Sequence, residues 1–190
     1  SDIRTVANKK RVKWKYEWCP YAPQEKSILL LEFNPVAEKR KGYRAQKVVS
    51  QHFYAPKGIQ QQFLNQFLSQ YPCSLGYFSP FRSFDDKQLS EQDLALSLPL
   101  FERYIELIKP VKVLVFSSYL VEVLQEKALL SEYINEEISI EGRTILVARG
   151  QLEVAGHRCP ILFLPSATSR LPRPLKEAAW AWAFDAVNPA

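Results

Sequence analysis

Two kinds of apolar pattern alternate along this chain. The first is the short unbroken run: Ser27 to Phe33, Val111 to Phe116, and Ile161 to Leu164. A run without alternation predicts a strand covered on both faces, as in a parallel sheet. The second is helical spacing. Ile59, Phe63 and Phe67, with Leu64 and Leu68 beside them, predict a helix over 59–70. Leu94, Leu98, Phe101, Tyr104, Ile105 and Ile108 predict another, opened by the capping-box pair Ser90 and Asp93 and closed by Pro110. Pro99 falls inside that second pattern, so a kink or two helices are expected. Ser117 or Ser118 is expected to cap a helix running to about Leu130, and Pro174 to open one over 175–187. Further strands are read at 74–81, 138–147 and 151–154, with turns at Glu141-Gly142 and 148–150 and a chain reversal at Gly156-His157. Strands alternating with helices predict a three-layer α/β/α sandwich with a mostly parallel central sheet.

Between these elements lie two basic stretches. Residues 1–16 carry Arg4, Lys9, Lys10, Arg11, Lys13 and Lys15 against Asp2, a net of +5. Residues 38–47 carry Lys39, Arg40, Lys41, Arg44 and Lys47 against Glu38, a net of +4. The whole chain is +5, so the remainder is acidic. Cationic charge gathered in two segments suits a polyanion partner better than an evenly basic surface does. The chain therefore reads as a basic N-terminal arm, 1–16, followed by a single α/β domain, 17–190. At the end of the arm and just beyond it, Trp14, Tyr16 and Trp18 alternate with charged residues, which suits a short strand or an aromatic strip packed on the body, or else a surface that stacks bases and holds phosphates.

Composition removes several classes. No apolar run approaches the roughly 20 residues of a membrane span, and no signal-peptide core opens the sequence. An intracellular protein without membrane attachment is expected. Cys19, Cys73 and Cys159 form no Cys-x-x-Cys, and only two histidines occur, so no metal and no cofactor are expected. A P-loop and a Gly-x-Gly-x-x-Gly are both missing, which counts against a small-molecule enzyme acting on nucleotides.

Chemistry is expected where strands end in polar turns. Ligands in open α/β sheets sit outside the carboxyl ends of the strands. Two such ends stand out. One is Phe33-Asn34-Pro35. The other is Pro165-Ser166-Ala167-Thr168-Ser169-Arg170-Leu171, with three hydroxyls and a cation. His52-Phe53-Tyr54-Ala55-Pro56 precedes the first helix.

Taken in order, these segments resemble the uracil-DNA glycosylase superfamily, most closely its mismatch-specific uracil and thymine branch. Phe33-Asn34-Pro35 is similar to that branch's Gly-hydrophobic-Asn-Pro-Gly motif. His52 to Pro56 before Phe63-Leu64 is similar to its aromatic-Pro segment, and Pro165 to Arg170 to its Pro-Ser-Ser-Ser-Ala-Arg loop. The resemblance spans about residues 27–187. It implies a DNA glycosylase of the base-excision-repair type that flips out and hydrolytically removes uracil or a related damaged or modified base. It implies no cofactor, DNA as partner, and a monomer. Asn34 would orient the attacking water, with Phe33, Pro35, Phe53 and Tyr54 forming the base pocket. Ser166, Thr168 and Ser169 would bind phosphates, and Arg170 or Leu171 would fill the gap left by the flipped nucleotide. Lys39, Arg40, Lys41 and Arg44 would add contacts to DNA. Glu32 and Val36 stand where the motif has glycines, which implies a narrower pocket or a different base. The alternative is a non-catalytic nucleic-acid-binding module on the same fold.

Overall fold

A computed structural model describes residues 23–35, 59–81, 83, 89–165 and 171–187. In chain order the elements are β1 (Ile28–Glu32), α1 (Ile59–Gln70), β2 (Cys73–Tyr77), α2 (Glu91–Ile108), β3 (Lys112–Val115), α3 (Ser118–Glu126), β4 (Leu130–Ile140), β5 (Arg143–Val154), β6 (His157–Phe163) and α4 (Arg173–Val187). The strands form one mixed sheet of order β2-β1-β3-β6-β5-β4. β2, β1, β3 and β6 run parallel to one another, while β5 pairs antiparallel with both β6 and β4 at the far edge.

The unbroken apolar runs occupy the middle of this sheet. In β1, Leu29 and Leu31 join a buried cluster with Val113, Val115 and Ile161, which Phe101 and Ile105 of α2 and Leu120 and Leu124 of α3 cover. Ile28 and Leu30 point the other way, into a cluster with Leu114, Leu162, Phe67 of α1, and Leu175, Ala179 and Trp180 of α4. A strand with apolar neighbours on both sides has no polar face to show, which is why its sequence does not alternate.

The helix ends follow their local chemistry. The Ser90 hydroxyl accepts from the Asp93 N–H at 3.2 Å, and the Asp93 carboxylate accepts from the Ser90 N–H at 2.9 Å. α2 stops at Lys109, whose backbone is left-handed with φ 46° and whose N–H bonds the Ile105 carbonyl at 2.7 Å. The expected division at Pro99 does not occur: one helix runs from 91 to 108. Pro99 is exposed, so the carbonyl that its missing N–H leaves free lies on the solvent side. Ser117, not Ser118, caps α3 by accepting from the Leu120 N–H at 3.1 Å. That helix ends at Glu126, short of the expected Leu130, because Leu130 already belongs to β4.

The distal strands also depart from expectation. The turn at Glu141-Gly142 is present, both residues having positive φ as a type I′ hairpin requires. The expected turn at 148–150 is instead the middle of β5. Gly150 is there for a different reason. A Cβ on it would lie 3.1 Å from the Ser131 carbonyl oxygen and from the Tyr133 Cα, where β4 bulges between Ser131 and Ile134. Glycine inside a strand marks such a close approach as readily as a turn.

α4 is tied to the hairpin. The Trp182 Nε1–H donates to Glu136 at 2.9 Å, and Glu136 also pairs with Arg149, whose guanidinium lies 5.5 Å from the centre of the Trp182 ring. Lys112 donates to the Ala186 carbonyl at 2.6 Å, capping the last turn of α4. Among the described residues, no helix is long and apolar enough to cross a membrane.

Candidate functional site at the carboxyl edge of the sheet

The four parallel strands end at one edge, and the connections leaving it diverge. From β1 the chain passes to β2 on one side. From β3 it passes, through α3 and the hairpin, to β6 on the other. In open α/β sheets, ligands sit outside the carboxyl ends of strands whose connections diverge in this way, here β1 and β3. Asn34, two residues past β1, lies at that point.

Main-chain bonds carry the sheet a little further on the β2 side. Phe78 and Ser79 donate N–H groups to the Glu32 and Phe33 carbonyls at 3.0 and 2.9 Å, and the Ser83 N–H reaches the Pro35 carbonyl at 3.3 Å. The turn after β2 is thereby laid along Phe33-Asn34-Pro35.

Asn34 is 6% exposed. Its Nδ2 donates to the Phe81 carbonyl at 2.9 Å and to the Ser83 hydroxyl at 2.6 Å. A carbonyl only accepts, so the amide must present its NH2 to this turn. Neither bond uses Oδ1, which covalent geometry places on the other branch of the amide. Behind the turn, the Ser79 hydroxyl accepts from the Phe81 N–H at 3.2 Å and from the Ser97 hydroxyl of α2 at 2.8 Å. Ser97 also lies 2.7 Å from the Asp93 carbonyl of its own helix. These serines were not singled out by sequence reading. The available signal was Ser97, a polar residue on the same helical face as Leu94, Phe101 and Ile105.

The other expected site residues divide. Phe33 is 2% exposed and packs in the core, stacked on Phe78 at a centroid distance of 6.1 Å and edge-on to Tyr119 at 4.9 Å. Its ring is almost wholly covered by these neighbours. Pro35 is buried beside the turn after β2. Leu171 packs against the cluster under α4, so its side chain is held by the protein core. Tyr119, in the first turn of α3, is half-buried at the same edge and was not anticipated. Phe53, Tyr54, Lys39, Arg40, Lys41, Arg44, Ser166, Thr168, Ser169 and Arg170 lie outside the described residues, as do the N-terminal arm and His52. His157 is not at this edge: its Nε2 lies 2.7 Å from the Pro110 carbonyl, at the opposite end of the sheet.

The described part of the rim offers an amide, hydroxyls and main-chain groups. It contains no carboxylate or imidazole between residues 33–35, 79–81, 116–117 or 164–165. Such a set can orient water or a polar ligand, and Glu32, half-buried as the last residue of β1, is the carboxylate next to it in sequence. Burial pushes the Cys73 and Cys159 thiols up to about 12, so neither is a ready nucleophile. Among the described residues, no group of His, Cys, Asp and Glu is placed to hold a metal ion. No protein-family model matches the chain, and no curated protein matches it.

Proposed function

We propose that the chain is a monofunctional DNA glycosylase, built on a three-layer α/β/α sandwich of the uracil-DNA glycosylase kind, that removes uracil or a related base. The observation that carries this reading is the setting of Asn34. It lies at the divergence point of the sheet, its NH2 held by Phe81 and Ser83 and its Oδ1 used by neither bond. The pairing of α2 and α3 on one face and α1 and α4 on the other supports the layered fold.

The target base must leave the stack to be reached, which costs a few kcal/mol. Positive charge then builds on the sugar and negative charge on the departing base. A water held beneath C1′ by Oδ1 of Asn34 is in place to attack as the bond breaks. An amide is too weak a base to deprotonate that water early, so a slow enzyme is expected. Ser166, Thr168 and Ser169 would bind phosphates, which position DNA without reading its sequence, and Arg170 would fill the vacated stack.

The test is base release from uracil-containing single- and double-stranded oligonucleotides, read as strand breaks after alkali. A panel of uracil, thymine-mismatch and alkylated or deaminated bases that yields no breaks at high enzyme concentration removes the reading. The competing account is a non-catalytic DNA-binding module. It is favoured by the burial of Asn34, because two hydrogen bonds to the turn after β2 explain that residue without any reaction. Salt-dependent DNA binding together with no base release from any substrate selects it.

A further inference from the structure

A continuous set of buried hydrogen bonds joins helix α2 to Asn34. Ser97, Ser79 and Ser83 are 0%, 0% and 1% exposed; Ser79 and Ser83 lie in the turn after β2, and Ser97 reaches Ser79 from α2. Burying a hydroxyl is costly unless it is bonded, whereas removing both partners of a buried bond in favour of apolar groups is close to neutral. Ser79 answers the buried Phe81 N–H, but the Ser83 hydroxyl meets only a side chain, and the pair it forms with Asn34 is not required by the main chain. The Asn34 NH2 has two hydrogens, and Phe81 and Ser83 supply two acceptors at 2.9 and 2.6 Å. Two directed bonds on one nitrogen fix the plane of the amide. Turning it over would set Oδ1 against the Phe81 carbonyl, oxygen to oxygen. Phe81 is itself held through the Ser79 hydroxyl, and Ser79 through Ser97 on a helix anchored in the core.

We infer that Ser83 is a positioning residue: it locks the amide of Asn34 with Oδ1 turned away from Phe81 and Ser83, and Ser79 and Ser97 hold the lock in register with α2. The inference rests on the glycosylase reading only for what Oδ1 then acts upon. Ser83 touches no reacting atom and acts through Asn34.

The experiment has two readouts on the full chain. The first is the single-turnover rate of uracil release from a duplex carrying uracil opposite guanine, alongside affinity for the same duplex. Ser83→Ala lowers the rate at least tenfold with affinity unchanged. Ser83→Thr, which keeps the hydroxyl, recovers most of it. Ser74→Ala is the control for mere destabilisation. Ser74 is as deeply buried, at 2%, and bonds Ser27 at 2.7 Å at the opposite end of the same strands. It lowers the melting temperature and leaves the rate unchanged. A Ser83→Ala rate within twofold of wild type, or an equal loss in Ser74→Ala, overturns the inference.

The second readout needs no activity: hydrogen exchange of the side-chain NH2 of Asn34, followed by NMR against that of exposed Asn135. In wild type the Asn34 protons exchange at least tenfold more slowly, and Ser83→Ala abolishes most of that protection. Exchange as fast as Asn135 in wild type overturns the lock, even if uracil is released. A protected Asn34 in a protein that releases no base keeps the lock and discards the glycosylase reading. Should Ser83→Ala fail to fold, Ser97→Ala is read the same way, with a smaller loss of protection expected because it acts two bonds further back.

Discussion

Gly76 shows how a single position decides the fit of a helix on this sheet. A Cβ there would come within 2.7 Å of the Tyr104 ring, and Tyr104 uses that proximity to donate from its hydroxyl to the Leu75 carbonyl at 2.7 Å. The bond ties α2 to β2 just ahead of the turn that holds Asn34. Gly76→Ala is expected to push the ring away and destabilise the fold by about 1–3 kcal/mol, the usual cost of overpacking. Urea unfolding of the variant checks this, and an unchanged midpoint would show that Tyr104 has room to move. The same proximity argument applies at Gly150, where the neighbour is backbone and cannot swing aside. Among the residues expected to bind DNA or its base, only Phe33, Asn34, Pro35 and Leu171 are described. Their burial separates them by role. Asn34 combines a bonded donor with an acceptor that neither bond uses, whereas Phe33 lies in one core cluster and Leu171 packs against the other.

At the scale of elements, caps and turns are the sensitive features. Lys109 ends α2 in a left-handed conformation that costs a residue with a Cβ roughly 1–2 kcal/mol. Its side chain is exposed, so Lys109→Gly should stabilise the protein by about 1 kcal/mol, seen as a higher melting temperature; a drop would mean that the side chain contributes a contact. Helix and strand periodicity made most of this architecture legible in the sequence. The two-sided apolar runs of β1, β3 and β6 and the capping box of α2 lie where local chemistry predicts them. What stayed hidden was of a different kind. Pro99 looks like a break, yet on an exposed face it leaves a carbonyl to water and the helix continues. Ala148-Arg149-Gly150 looks like a turn, yet the glycine answers a bulge in β4, a strand not adjacent in sequence. The turn after β2 was legible as a polar strand end, Ser79-Pro80-Phe81-Arg82-Ser83, but not as the partner of Asn34, because that depends on pairing with Phe33 to Pro35 across 47 residues. The candidate site was thus legible as Asn34 and illegible as the serines that hold it.

At the scale of the whole molecule, α4 is bound to the far hairpin by a mixed polar contact whose charge responds to pH. Hydrogen bonding from Arg149, with a smaller contribution from Trp182, holds the Glu136 carboxyl below its ordinary value, against the opposing effect of burial. A carboxyl lowered on folding contributes stability above its unfolded pKa and loses it as pH falls through the folded one. Glu136→Gln should therefore narrow the stability difference between about pH 6 and pH 3 relative to wild type, read from urea midpoints at the two pH values. An identical pH dependence in the variant would mean that the contact is too exposed to matter, as many surface pairs are. Function belongs to this scale as well, because the place of Asn34 follows from the order of the parallel strands and the divergence of the connections after β1 and β3. The measurement that bears most directly on the proposed reaction is the single-turnover release of uracil from single- and double-stranded oligonucleotides by wild type and Asn34→Ala. The account predicts measurable release by wild type and a loss of about a hundredfold or more in the variant, with DNA affinity little changed, as removal of a transition-state interaction requires. Release by Asn34→Ala at the wild-type rate would contradict it.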